Sequence, residues 1–268
     1  GLFDYANIAG AWLGVIAPLM LAAVLRPDGW GRRVSALVLV IATAIAVTLT
    51  QSRNGMAALA LALPLVIGPM RWVWLLPLLL ILVTPLLLVG LPGVPAGLRE
   101  WAAKLVPEPI LARLLEEKGE EAWKHTRLGQ WQYAIQLVAA RPWLGWGAAA
   151  FSVMYPIYAA KRWHGHSHNL PLELAISHGL PVMLLIIGTV LVLLVLALRQ
   201  GMLQRAPLER AWWSSTLVLI AMHGTDLPFF DSRLNILGWT LLAGLCAFIR
   251  ESGPDRDAPE ASAASAAP

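Results

Sequence analysis

Apolar segments alternate with short polar ones along the chain, in runs covering 8–25, 34–50, 55–69, 73–89, 171–198, 211–225 and 234–249. A helix needs about 20 residues to cross the hydrocarbon core of a bilayer. These runs reach or approach that length, so the pattern predicts about seven transmembrane helices. Pro64, Pro77 and Pro85 would kink theirs, which packed neighbouring helices tolerate. The long segment between the fourth and fifth runs is helical in period. Trp123, Arg127, Gln130, Trp131, Ala134, Ile135 and Val138 recur at three- and four-residue spacings, ending at Arg141-Pro142. The expected fold is an all-α polytopic bundle. Four transmembrane helices fall in 1–90, a large loop with amphipathic helices in 91–169, and three transmembrane helices in 170–250. Residues 251–268, poor in large apolar side chains, are expected to be a disordered cytoplasmic tail.

Basic residues orient the spans. Arg26, Arg32 and Arg33 follow the first run, Arg71 the third, Arg199, Arg205 and Arg210 the fifth, and Arg250 the seventh. Because arginine in short loops favours the cytoplasm, one topology satisfies all of these boundaries. It places the 51–54 turn, the 91–169 loop and the 223–233 loop together on the outer side. Arg53 and Arg233 break the bias, and charges held at membrane level against the rule point to function.

Composition agrees with the pattern. The chain is 58% hydrophobic and 13% charged, with a mean hydropathy of +0.65, which excludes an ordinary soluble domain. A net charge of +4 is explained by arginines flanking spans and calls for no nucleic-acid partner. The single cysteine, Cys246, excludes an intrachain disulfide. Beginning at Gly1 in a near-apolar run, the sequence is expected to be a fragment lacking upstream spans.

The chemistry concentrates in HGHSHNLPLELAISHGLP, residues 164–181, where a polar loop enters an apolar run. Histidines beside a membrane suit proton transfer, metal binding or pH sensing. His164, His166 and His168 alternate, a spacing usable for zinc or copper, but no further ligand with convincing spacing is visible and no metal is assigned. Asn169 is expected to cap the next helix, with Pro171 in its first turn. His178 is expected to be a neutral histidine bonded to a neighbouring helix. Glu173 can orient a histidine, bind a polar substrate or compensate a helix dipole. Arg53, Arg127 and Arg141 offer guanidinium forks that match phosphate oxygens. Asp226 and Asp231 are expected to ion-pair with these arginines or with Arg233. Trp143 and Trp146 suit headgroup depth.

The order of three motifs resembles the O-antigen ligase and polymerase superfamily of bacterial envelope glycan assembly. They are SRNG at 52–55, RLGQWQYAIQLVAARPWLGWG at 127–147 and HNLPLELAISHGLP at 168–181. The resemblance implies a polytopic inner-membrane enzyme with its active site facing the periplasm. Its donor would be a glycan on undecaprenyl diphosphate, and its acceptor a glycan, lipid A-core or protein, with no metal or other cofactor. By motif, His168 would be the general base and Arg53 and Arg127 would hold the diphosphate, with Asn169, Glu173, Arg141 and Asp226 as supporting candidates. One departure is Ser177, where many members of that family have an acidic residue; Glu173, one turn earlier, is the expected substitute. The alternative within the same resemblance is a transporter of bicarbonate or another anion. A non-catalytic assembly protein is the third class.

Overall fold

The computed structural model describes residues 5–26, 29–68, 94–106, 126–159 and 164–251, with isolated positions between 80 and 111. Every regular element among them is helical. The α-helices are, in chain order, α1 (Ala6–Leu25), α2 (Trp30–Leu49), α3 (Arg53–Ile67), α4 (Ala96–Ala103), α5 (Arg127–Ala140), α6 (Ala150–Tyr158), α7 (Leu170–His178), α8 (Leu180–Arg199), α9 (Pro207–Met222) and α10 (Ser232–Glu251), with short 3-10 turns at Met202–Gln204 and Pro228–Phe230. Helices α1, α2, α8 and α10 have 20 residues each and are apolar enough to cross a membrane. The third expected span is a 15-residue helix and the sixth a 16-residue helix. Most of the fourth, 73–89, lies outside the described residues, as do Trp123 and the 252–268 tail.

Small residues let the helices of the bundle approach closely. A Cβ on Gly10 would lie 2.6 Å from Cβ of Ser52, and one on Gly14 would lie 2.7 Å from Cβ of Ala58. Contacts that advance together along both helices make α1 and α3 parallel, with backbones in the close approach that membrane helices use for packing. Helix α9 runs the other way. Its Ala211 packs with Ala22 and Val66, while Val218, Leu219 and Met222 meet Ala11 and Val15 near the start of α1. The Nε1 groups of Trp212 and Trp213 donate to the carbonyls of Leu241 and Leu194, at 2.8 and 3.1 Å, tying α9 to α10 and α8. As a result the starts of α1, α3, α8 and α10 and the end of α9 gather at one end of the bundle. Arg199, Arg205, Arg210 and Arg250 sit at the other.

The fifth apolar run is not one helix. It breaks at Gly179, whose φ of +84° favours glycine. The 141–147 turn docks into the break. Trp146 N–H donates to Ile176 O (2.7 Å), Gly147 N–H to Ser177 O (3.1 Å) and Leu180 N–H to Pro142 O (2.7 Å). In a continuous helix Leu180 N–H would pair with Ile176 O, whereas Ser177 O would find no N–H four residues on, because that residue is Pro181. Trp146 Nε1 also donates to Leu137 O of α5 (2.8 Å). The turn thereby links α5 to the α7–α8 junction. Behind it Phe151 and Tyr155 of α6 pack with Ala134, Leu137 and Ile176.

Candidate active site

The loop before α7 is held from several directions. Asn169 caps α7: its Oδ1 accepts from Leu172 N–H (2.9 Å) and its Nδ2 donates to Gly224 O (2.9 Å). Leu170 N–H donates to His223 O (2.8 Å), joining the start of α7 to the end of α9. Glu173, buried one turn into α7, accepts from Ser167 N–H through Oε2 (2.9 Å). His168 is thus fixed with φ at +53°, a left-handed conformation costing of order 1–2 kcal/mol for a residue with a Cβ. Its neighbours compensate that cost, and the side chain gains a defined direction.

His168 points at Asp226. Nδ1 of His168 lies 2.9 Å from Oδ1 of Asp226, and Nη2 of Arg127 lies 3.4 Å from Oδ2 of the same carboxylate. Asn7, in the first turn of α1, donates from Nδ2 to Oδ2 (3.1 Å), and Leu227 N–H donates to Oδ1 (2.9 Å). One carboxylate therefore collects α1, α5, the α7 loop and the α9–α10 loop. Burial alone would raise the Asp226 pKa. The hydrogen bond and charge of His168, the Arg127 guanidinium and the Leu227 N–H outweigh it and bring the pKa down to about 2. An ionised carboxylate only accepts, so Nδ1 of His168 carries the proton and a neutral ring keeps its lone pair on Nε2.

His166 lies beside this pair. Its ring is 4.3 Å from that of His168, and its Nδ1 accepts from His168 N–H (3.2 Å). Burial, then the neighbouring His168, pushes its pKa down to about 4, with Asp226 opposing and Arg127 and His164 adding to the depression. The third ligand that the sequence did not display is also here, since His166, His168 and Asp226 present ligand atoms within 4.8 Å of one another.

The remaining sequence candidates divide. Arg53 opens α3 at the same end of the bundle, beside the Gly10–Ser52 contact, but is exposed and forms no ion pair or hydrogen bond with this cluster among the described residues. Arg141 stacks its guanidinium over Trp146 at 4.1 Å rather than joining the carboxylate. Asp231 pairs with Arg233, with Nη2 2.7 Å from Oδ2. Glu173 holds the loop backbone. His178 is corrected: it is exposed in the last turn of α7, because the helix ends at Gly179 instead of carrying it into a bundle interior. Trp143 is 74% exposed, whereas Trp146 is a packing residue. Asn7 is the member that sequence reading missed, a lone polar residue entering an apolar run.

A cavity of about 320 Å³ lies directly behind the Asn169–Gly224 and Leu170–His223 bonds. Its walls include Leu170, Ile187, Leu219, Gly238 and Leu242, from α7, α8, α9 and α10, with Gly224 from the turn after α9, and are almost wholly apolar. The family model described as O-antigen ligase matches residues 36–187, more than half of the chain, spanning α2 to the start of α8. No curated protein matches the chain.

Proposed function

The chain belongs to the O-antigen ligase family of membrane glycan-transfer enzymes, and from that premise we propose that it moves a glycan from a polyprenyl diphosphate carrier to an acceptor hydroxyl. The observation that carries this reading is the shared Asp226 carboxylate, with His168 on one oxygen and Arg127 on the other. Asp226 holds the His168 proton on Nδ1, which leaves Nε2 as a base. The acceptor hydroxyl gives its proton to Nε2 as its oxygen attacks the anomeric carbon from the face opposite the diphosphate. The C–O bond to the diphosphate breaks with its electron pair, so configuration inverts. The imidazolium that forms is stabilised by Asp226. A positioned base contributes about 10²–10⁴-fold.

Arg127 is half-buried beside the base and meets the departing diphosphate, where negative charge accumulates and a fixed guanidinium is most effective. Arg53, exposed at the same end of the bundle, serves the outer part of the diphosphate. The donor arrives with an activated leaving group, so the reaction as written calls for neither a protein nucleophile nor a metal. Undecaprenyl is the carrier, and the site faces the periplasm of the inner membrane, with the 91–169 segment as a large periplasmic loop. The apolar cavity supports a lipid-linked donor over a hydrated anion path, because its lining offers an isoprenoid chain contact and an anion almost no polar partner.

Transfer assayed in membranes tests the reading. His168→Ala is expected to lower the rate by about 10²–10⁴-fold with expression retained. Arg127→Ala is expected to cost about 10²-fold and to change the dependence on donor concentration. Undiminished product from His168→Ala would remove the base assignment.

A further inference from the structure

Two imidazoles and one carboxylate meet where glycan transfer itself uses only one imidazole. His166, His168 and Asp226 each offer one ligand atom, all within 4.8 Å of one another. We propose that this triad binds a divalent transition-metal ion of the zinc class and that the bound ion switches glycan transfer off.

The donor set selects the ion. Imidazole nitrogen suits zinc, copper and nickel, whereas magnesium and calcium prefer sites made of oxygen alone. The ligands come from two connected backbones rather than one flexible loop. His166 and His168 are fixed by the His168 N–H bond to His166 Nδ1 and by the Ser167–Glu173 bond, while Asp226 is held by Asn7 and Leu227. Arg127, 3.4 Å from the second carboxylate oxygen, adds positive charge beside the ion and weakens its binding. His164, its ring 6.3 Å from that of His168, stands outside the triad. Three protein ligands leave a position for water or a substrate oxygen.

Regulation follows from the tautomer, and this half rests on His168 being the base. Without metal the ring proton is on Nδ1, facing Asp226. A metal that takes Nδ1 leaves that proton on Nε2, so the attacking hydroxyl finds a donor where it needs an acceptor. A metal that takes Nε2 uses the lone pair directly. Coordination alone changes; no electron transfer is involved. His166 gives up the hydrogen bond that its Nδ1 accepts when that nitrogen coordinates.

The full chain purified in detergent is titrated with zinc ion against a chromophoric chelator. Wild type is expected to take about one equivalent. His166→Gln is expected to bind at least about tenfold more weakly, since even partners outside the ligand set are worth about 10–100-fold; His178→Gln serves as the histidine control and is expected to bind as wild type. His166→Asn is the second variant should His166→Gln fail to fold. Failure of wild type to compete with the chelator, or wild-type affinity in the His166 variants, overturns the site whatever the transfer assays give. In membranes, zinc at ten times its dissociation constant is expected to lower transfer about tenfold, with recovery on adding EDTA. His166→Gln is expected to resist inhibition when its rate with zinc is compared with its own rate in metal-free membranes. Zinc bound by the triad with transfer undiminished overturns the switch. Loss of the proposed function would appear differently, as absent transfer in metal-free wild type, with the chelator titration still deciding the site.

Discussion

Asp226 accepts the Nδ1 proton of His168 across 2.9 Å, although 58 residues separate them in the chain. The pairing sets the ring's tautomer and its direction together. With Nδ1 committed, Nε2 is the ring nitrogen that keeps a lone pair.

Asp226→Asn tests that relationship with little change of shape. The amide presents either an oxygen or an NH₂ group, cannot compensate a positive imidazolium, and leaves Arg127 without its anionic partner. Transfer is expected to fall about 10²–10⁴-fold, the range of a lost general base, with protein level in the membrane maintained. Initial rates at saturating donor check this. A rate within a few-fold of wild type would mean that the carboxylate has no part in proton transfer.

The parts of this arrangement that were legible in sequence are those written locally. Apolar run length marks α1, α2, α8 and α10, and the alternation of arginines foretells that Arg53, His168 and Asp226 gather at one end of the bundle. The Asn169 cap and the end of α5 before Pro142 also follow from adjacent residues. Pairings across the chain were hidden. Nothing near Asn7 distinguishes it from a chance polar residue, and its role appears only through Asp226, 219 residues away. The break at Gly179 was masked because hydropathy averages over it and reads one run, whereas the structure divides that run into the nine-residue α7 and the 20-residue α8, with bonds from 142–147 at the junction. Arg53 shares an end of the bundle with Arg127 but not its carboxylate, a distinction that topology cannot make.

Gly179→Ala tests whether the docked turn supports the site. A Cβ there would stand 2.1 Å from Trp143 O, and the φ of +84° alone costs of order 1–3 kcal/mol with a side chain present. The 141–147 turn is expected to lose its seat, lowering the thermal unfolding midpoint and reducing transfer even though Gly179 touches no reacting group. Gly188→Ala is the control, since nothing lies within 4 Å of its Cβ position. Equal midpoints for the two variants would show that the turn does not depend on the break.

Asp231 fixes the start of α10. Its Oδ1 accepts from Arg233 N–H (3.0 Å) and Leu234 N–H (3.2 Å), while the Arg233 guanidinium holds the carboxyl below its ordinary pKa. Asp231→Ala is expected to cost about 0.5–2 kcal/mol, the range for losing such a cap. A depressed carboxyl stabilises fully above the unfolded-state pKa and loses that contribution as pH falls through the lower folded-state value. The difference in unfolding midpoint between variant and wild type is therefore expected at pH 7 and to shrink in strong acid. A pH-independent difference would assign the effect to packing instead.

The cavity behind α7 makes the donor's lipid a measurable quantity. Ile187 lines it from α8 and Leu219 from α9, so Ile187→Trp would push an indole ring into its roughly 320 Å³ without adding charge. A long isoprenoid chain that uses this space would bind less well, while the proposed diphosphate site at His168 and Arg127, neither of which lines the cavity, would be left in place. KM for a long-chain donor is expected to rise about tenfold, equivalent to about 1.4 kcal/mol of lost binding, with kcat little changed. A donor analogue too short to enter the cavity is expected to show no such rise. If both donors suffer alike, or only kcat falls, the chain lies elsewhere and the cavity serves packing alone.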